Sequence, residues 1–232
     1  MRILALETTE KIPSVAALDG VQVLRAARLD PARRSAQTLV PGIKQLLADV
    51  GWRPSDIQLI ALPIGPGSFT GLRVGVTAAK TLGYATGAAV LGVGTLDVIA
   101  RQSSGTAAVL WTFMDAQRSQ LFTARHRLVE QSYQLDRETH IDDIDAWLAM
   151  VRPGEAVSGP VLGRLIDRLP TGVHLEASSR WAPTAQQVGL LAWERYQAGQ
   201  RQDLWQLVPH YCRQSAAEEK LSQKLARPIP AP

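Results

Sequence analysis

Twice in this chain an apolar strand ends on an acidic residue and is followed by a polar turn and a second strand. The first copy runs from Arg2 to Glu7 and on to a strand at 14–18; the second runs from Ala107 to Asp115, through a turn at 116–119, to a strand at 120–127. Glu7 and Asp115 stand 108 positions apart. A supersecondary unit repeated at that distance predicts two α/β domains of related topology, over residues 1–102 and 103–213. The remaining residues, 214–232, are polar, end Arg-Pro-Ile-Pro-Ala-Pro and are expected to form a mobile tail.

Between the two copies the pattern is that of alternating strands and helices. Asp19-Gly20, between strands at 14–18 and 21–29, predicts a type I′ hairpin. Leu39, Val40, Ile43, Leu46, Leu47 and Val50 recur at helical spacing over 37–50. This helix is expected to start near Thr38, with Pro41 in its first turn and Gly51 as its stop. A strand at 57–62 is expected to end before Pro63-Ile64-Gly65-Pro66-Gly67. A helix over 70–85, a strand over 88–93 and a helix over 95–101 capped by Thr95 complete the first half. Further helices are predicted over 142–150, 161–169 and 184–198.

Several chemistries are excluded early. The chain has 232 residues, of which 46% are hydrophobic and 20% charged, enough apolar content for true cores. Apolar runs such as 88–93 fall far short of the roughly 20 residues of a membrane span. The first strand meets Glu7 after four apolar positions, too few for a signal-peptide core. A cytoplasmic location without membrane contact is expected. The single cysteine, Cys212, excludes an internal disulfide and a thiolate-rich metal site, and reads as a small buried hydrophobe. A net charge of +4 and a pI near 9.5 permit a nucleic-acid or acidic partner without requiring one.

His126, His140, His174 and His210 are too far apart in sequence to form a His-x-x-x-His pair, so no metal is expected. Gly67-Ser68-Phe69-Thr70-Gly71 lacks the spacing of a nucleophile elbow, and no His or acid is tied to Ser68 by a motif. A Rossmann loop would need glycine at Thr70, and Lys80-Thr81 follows Ala79 where a Walker loop needs glycine. No catalytic residue is assigned.

The most distinctive stretch is Gly65-Pro66-Gly67-Ser68-Phe69-Thr70-Gly71-Leu72-Arg73-Val74-Gly75. Its Gly-Pro-Gly start forms a preset turn, Ser68 or Thr70 can cap the next helix, and Gly71, Gly75, Ala78, Ala79 and Gly83 give that helix a small-residue face. Each helical glycine costs about 1 kcal/mol relative to alanine, so close packing is expected in return. That packing can be against the chain's own sheet or against a partner, with the helix amides at Gly67, Ser68 and Thr70 offered to an anion or nucleotide.

This stretch resembles the signature of the bacterial TsaB (YeaZ) family. Leu4-Ala5-Leu6-Glu7-Thr8-Thr9, Gly92-Val93-Gly94-Thr95-Leu96, Met114-Asp115-Ala116 and Pro209-His210-Tyr211-Cys212-Arg213 resemble further family segments. The resemblance spans residues 1 to about 213, with little from 130–205. It implies the duplicated actin-like, Hsp70-like and sugar-kinase-like architecture. The implied role is a non-catalytic subunit for N6-threonylcarbamoylation of adenosine 37 in tRNAs reading codons that begin with A, exerted by heterodimerising with the TsaD transferase. A TsaE ATPase joins the complex, tRNA is met through it, and a homodimer forms when the chain is alone. No cofactor is implied to bind tightly, with ATP or ADP placed only at the complex interface. Pairing is implied through the helices at 38–50 and 70–85: Leu39, Ile43 and Leu46 on the first, and Thr70, Arg73, Val74, Thr77, Ala78 and Thr81 on the second.

Three positions depart from the family. Glu7 replaces the usual aspartate, which is expected to lengthen the side chain at the mouth of an interdomain cleft. Arg34-Ser35-Ala36-Gln37 stands where many members carry a histidine, and Asp115-Ala116-Gln117-Arg118 replaces Asp-Ala-Arg. Two alternatives are weighed. One is an ATPase or phosphotransferase of the actin-like group, from Glu7, Thr8, Thr9 and Asp115 at strand ends. The other is a glycoprotease-like peptidase, which the missing metal pair and nucleophile set disfavour.

Overall fold

The computed structural model describes residues 1–213, and the expected tail at 214–232 lies outside the described residues. Arg2–Glu7 (β1), Ser14–Asp19 (β2) and Gln22–Arg28 (β3) form an antiparallel meander. Ser35–Asp49 (α1) leads to Leu59–Gly65 (β4), parallel to β1, and Phe69–Thr86 (α2) leads to Ala89–Gly94 (β5), parallel to β4. The sheet order is β3-β2-β1-β4-β5. Thr95–Arg101 (α3) carries the chain to a second meander of Val109–Gln117 (β6), Gln120–Val129 (β7) and Ser132–Asp143 (β8). Ile144–Met150 (α4), Ala156–Ser158 (β9) and His174–Leu175 (β10) follow, with β9 parallel to both β6 and β10. This order, β8-β7-β6-β9-β10, repeats the first sheet strand for strand. The fold is the two-domain α/β architecture of the actin-like, Hsp70-like and sugar-kinase-like group.

Alternation of side chains along each strand divides the first sheet between two cores. Leu4, Leu6, Val15, Ile60 and Leu62 face Leu39, Ile43, Leu46 and Leu47 of α1 and Val76 and Ala79 of α2. Ile3, Ala5, Ala16, Leu18, Leu59 and Ala61 face Ala185, Val188 and Ala192 of Ala185–Gln197 (α5). Burial on both faces explains why β1 and β4 read as unbroken apolar runs. In the second sheet Trp111 and Phe113 pack on Trp147 of α4, while Met114, Phe122 and Ala124 pack on Leu96 and Ile99 of α3.

The last helix therefore crosses back. Although α5 falls within the sequence division 103–213, it covers the first sheet, and Ala185 N donates to Ser14 Oγ at 3.0 Å. Arg195 pairs with Asp97 of α3 at 2.6 Å, and Arg101 with Glu194 at 2.6 Å. At the α3–β6 junction Ser104 donates from N and Oγ to buried Glu176, at 2.9 and 2.7 Å.

Several local expectations are corrected. The β2–β3 turn is centred on Gly20-Val21, since Asp19 pairs with Gln22 and only Gly20 has positive φ, so it is not the type I′ turn on Asp19-Gly20. Helix α1 starts at Ser35, three residues early, which moves Pro41 out of its first turn. Strand β4 continues through Pro63 to Gly65: its β1 ladder ends at Ala5–Ala61, so Pro63 lies where β4 has β5 as its one neighbour. Gly94, not Thr95, is the N-cap of α3, and Thr95 Oγ1 is buried without a partner among the described residues. The expected helix at 161–169 is two short 3₁₀ turns, Leu162–Arg164 and Ile166–Arg168.

Candidate functional site

The loop after β1 and the start of α2 are built around one close approach. Helix α2 is capped by Ser68, whose Oγ accepts from Gly71 N at 3.2 Å, as expected for that position. Ser68 N donates to Thr9 O at 2.9 Å, and Thr8 Oγ1 donates to Gly71 O at 2.8 Å. A Cβ on Gly71 would lie 1.8 Å from Thr8 O, and one on Gly75 would lie 2.6 Å from Thr8 Oγ1. The small-residue face of α2 is thus used within the chain, with Gly83 against Val90 and Leu204.

The opposite face of α2 is open. Thr70, Arg73, Thr77 and Thr81 are exposed, and Val74 and Ala78 are half-buried. Six of the nine expected pairing residues therefore share one accessible strip. Leu39, Ile43 and Leu46 do not: at 1, 5 and 1% exposure they are core residues of the first domain, because the apolar stripe of α1 packs on its own sheet.

A flanking element that sequence reasoning did not assign to the site lies beside this strip. Residues 202–213 run along α2 towards the cleft. Lys80 Nζ donates to Trp205 O at 3.0 Å, and the rings of Tyr84 and Trp205 lie 5.8 Å apart, 73% and 66% exposed. Further on, the Tyr211 ring packs at 4.6 Å against Phe69, tilted by 32°, and its hydroxyl accepts from Arg73 Nε at 3.0 Å, while the Arg73 guanidinium lies 4.1 Å over Phe69. His210 N donates to Ile64 O at 2.7 Å, and a Cβ on Gly65 would lie 2.4 Å from His210 O. The signal for this strap was the Pro209-to-Arg213 motif, whose packing partner no periodicity reveals.

Where the strap ends, a cleft of about 800 Å³ opens between the domains. Its walls come from the β1–β2 loop (Thr9 to Lys11), the cap of α2 (Gly67, Ser68 and Thr70), the end of β6 with its turn (Asp115 to Arg118), Arg164, and the strap. Gly67, Ser68 and Thr70, the expected anion contacts, are together on one wall. Arg213 donates to Ala116 O and Gln120 Oε1, tying the strap to the second sheet. Burial and the neighbouring Asp115 push Glu10 up to about 6, despite a backbone hydrogen bond from Lys11.

Glu7 is not at the cleft mouth. It is wholly buried, and its Oε1 accepts from Thr9 N at 2.6 Å and from Thr9 Oγ1. Among the described residues its Oε2 has no partner. Burial pushes its pKa up to about 7, against the lowering effect of the Thr9 hydrogen bonds. Of the strand-end residues on which an ATPase reading leaned, only Thr9 and Asp115 line the cleft.

Among the histidines, His126 is buried against Thr112 Oγ1 at 2.9 Å, and burial pushes it down to about 4. Cys212 is half-buried against the Met114 and Phe122 cluster. Among the described residues no three His, Cys, Asp or Glu side chains come together in a way that could hold a metal ion, and no helix is long and apolar enough to cross a membrane.

The model of the family described as TsaD, tRNA N6-adenosine threonylcarbamoyltransferase, matches residues 29–169. The tRNA threonylcarbamoyladenosine biosynthesis protein TsaB of Bacillus subtilis (strain 168) is 27% identical over 234 residues, covering 95% of this chain and 97% of its own. The TsaB protein of Escherichia coli (strain K12) is 32% identical over 142 residues, 60% of this chain and 61% of its own. The solved structure of YeaZ from Pseudomonas aeruginosa superposes with a TM-score of 0.76 at 26% identity, over 90% of this chain and 99% of that one.

Proposed function

Because the chain belongs to the TsaB/YeaZ family of tRNA threonylcarbamoyladenosine biosynthesis, within the wider TsaD family, we propose that it is the non-catalytic partner of a TsaD-type transferase. The observation that carries this reading is the open strip of α2. Thr70, Thr77 and Thr81 are exposed along it, Arg73 lies exposed across Phe69 and Tyr211 at one end, and Val74 and Ala78 give the strip an apolar floor. Short side chains there let a second helix approach closely, and the exposed Tyr84–Trp205 pair extends the strip with the aromatic surface that protein interfaces favour. The cleft, by contrast, is lined by Glu10 and Asp115, and its Ser68 hydroxyl is engaged in capping α2.

In this reading the transferase carries the reacting groups. A TsaE-type ATPase joins the pair, ATP or ADP is met only at the interface of the complex, and the chain forms a homodimer through the same strip when alone. The setting is cytoplasmic. The test is made in cells. Deleting the gene should remove N6-threonylcarbamoyladenosine from total tRNA, read by mass spectrometry of digested nucleosides, and the wild-type gene should restore it. A Thr77→Arg/Thr81→Arg variant, which changes exposed positions and costs little in folding, should accumulate normally and fail to restore it. Unchanged nucleoside content after deletion, or full rescue by the double variant, would refute the reading.

A further inference from the structure

The interdomain cleft has a chemistry that the pairing role leaves unused. Four cationic side chains, Lys11, Arg118, Arg164 and Arg213, line it against the carboxylates of Glu10 and Asp115. They come from four different segments, so a ligand that meets them all must run through the cleft and not rest at one point on its wall. Arg164 is 78% exposed and stands 3.8 Å from Asp115, a distance at which the ion pair is weak and its cation can still serve another anion. Arg118 lies in the β6–β7 turn, where Gln117, Arg118 and Ser119 all take left-handed φ of 62, 53 and 58° without a glycine. Such backbone costs on the order of 1 kcal/mol or more per residue and clusters at working sites. At the rim, Phe69 and Tyr211 form a tilted aromatic pair backed by Arg73, with Tyr211 40% exposed. Cations for phosphates beside an exposed aromatic face for a base are the two elements of single-strand recognition.

We propose that this cleft binds a single-stranded stretch of RNA directly, its phosphates meeting Lys11, Arg118 and Arg164 and one base stacking on the Phe69–Tyr211 pair. The inference rests on the tRNA-modification reading above and adds to it that this subunit touches the RNA itself.

The test uses the purified full-length chain and a fluorescent single-stranded oligoribonucleotide of about 12 nucleotides, followed by anisotropy at several salt concentrations. Wild-type protein should bind with an affinity that falls as salt rises. Arg118→Ala/Arg164→Ala should weaken binding about tenfold or more and reduce the slope of log affinity against log salt by about 1.4, the release expected from two single-strand phosphates. Tyr211→Ala should weaken it about tenfold, and Tyr211→Trp should restore it, which a merely structural role would not do. Arg127→Ala, on β7 outside the cleft, should change nothing. Absence of RNA binding, an equal loss in the Arg127 variant, or binding of a fluorescent ATP analogue in place of RNA would overturn the proposal. Pairing of the same variants with the transferase is measured separately. In the wild type, absent RNA binding with intact pairing counts against this inference alone, and absent pairing counts against the functional reading.

Discussion

Replacing Gly71 with alanine is expected to lower the stability of this protein by about 3 kcal/mol, although alanine favours a helix interior by about 1 kcal/mol. The added methyl carbon would lie 1.8 Å from Thr8 O and 2.9 Å from Thr8 C, both backbone atoms that no rotamer change can move aside. Relief requires α2 to retreat from the β1 loop, which breaks the Thr8–Gly71 and Ser68–Thr9 hydrogen bonds. Gly75→Leu would put its Cβ 2.6 Å from the side-chain Oγ1 of Thr8 and its longer side chain into the same close contact, and should destabilise the protein, not merely detach a partner. Thr77→Ala, on the open face of the same helix, should stay within about 0.5 kcal/mol of wild type. Urea midpoints for the three variants decide the matter. A Gly71→Ala protein as stable as wild type would mean that the loop after β1 yields freely and that α2 is not locked to it.

Glu7→Gln is expected to remove a large part of the pH dependence of stability. The folded-state pKa of Glu7 is raised from 4.5 to about 7, with burial as the main cause. Between those values the folded protein keeps a proton that the unfolded chain has released, so stability falls as pH rises through this window and stays lower above it. The span corresponds to about 3 kcal/mol at most. Glutamine keeps an acceptor for Thr9 and carries no charge. The variant should match wild type near pH 4.5 and exceed it at pH 8, and the difference between the two unfolding curves isolates Glu7 from other titrating groups. Parallel curves across this range would show that Glu7 is solvated in the folded state.

Much of the architecture could be read from the chain before its structure. The repeated strand with an acidic end locates β1 and β6, and the helical spacing of Leu39, Ile43 and Leu46 locates α1, because both depend on burial against a near neighbour. The same residues illustrate the limit. Periodicity identifies an apolar stripe but not what covers it, so Leu39, Ile43 and Leu46 were expected at a partner and lie in the core. The glycines of α2 were legible as a close-contact face, and their contact proved to be Thr8 and the chain's own strands. The open strip is the face left over, and its threonines, which carry no apolar periodicity, were named only through the family resemblance. Strand β8 was missed because its exposed, polar residues alternate weakly, and the crossing of α5 to the first sheet is a tertiary choice that local pattern does not encode. The cleft gathers residues from positions as distant as 11, 118, 164 and 213, which no motif joins.

In the proposed function the exposed strip of α2 is the receiving surface for a transferase. Sedimentation velocity of the purified chain mixed with its cognate TsaD protein tests this most directly. A 1:1 complex that forms at micromolar concentration with wild type, and disappears with Thr77→Arg/Thr81→Arg while both proteins stay folded, is the predicted result. Two independent boundaries at every mixing ratio, or a complex untouched by the arginines, would contradict it.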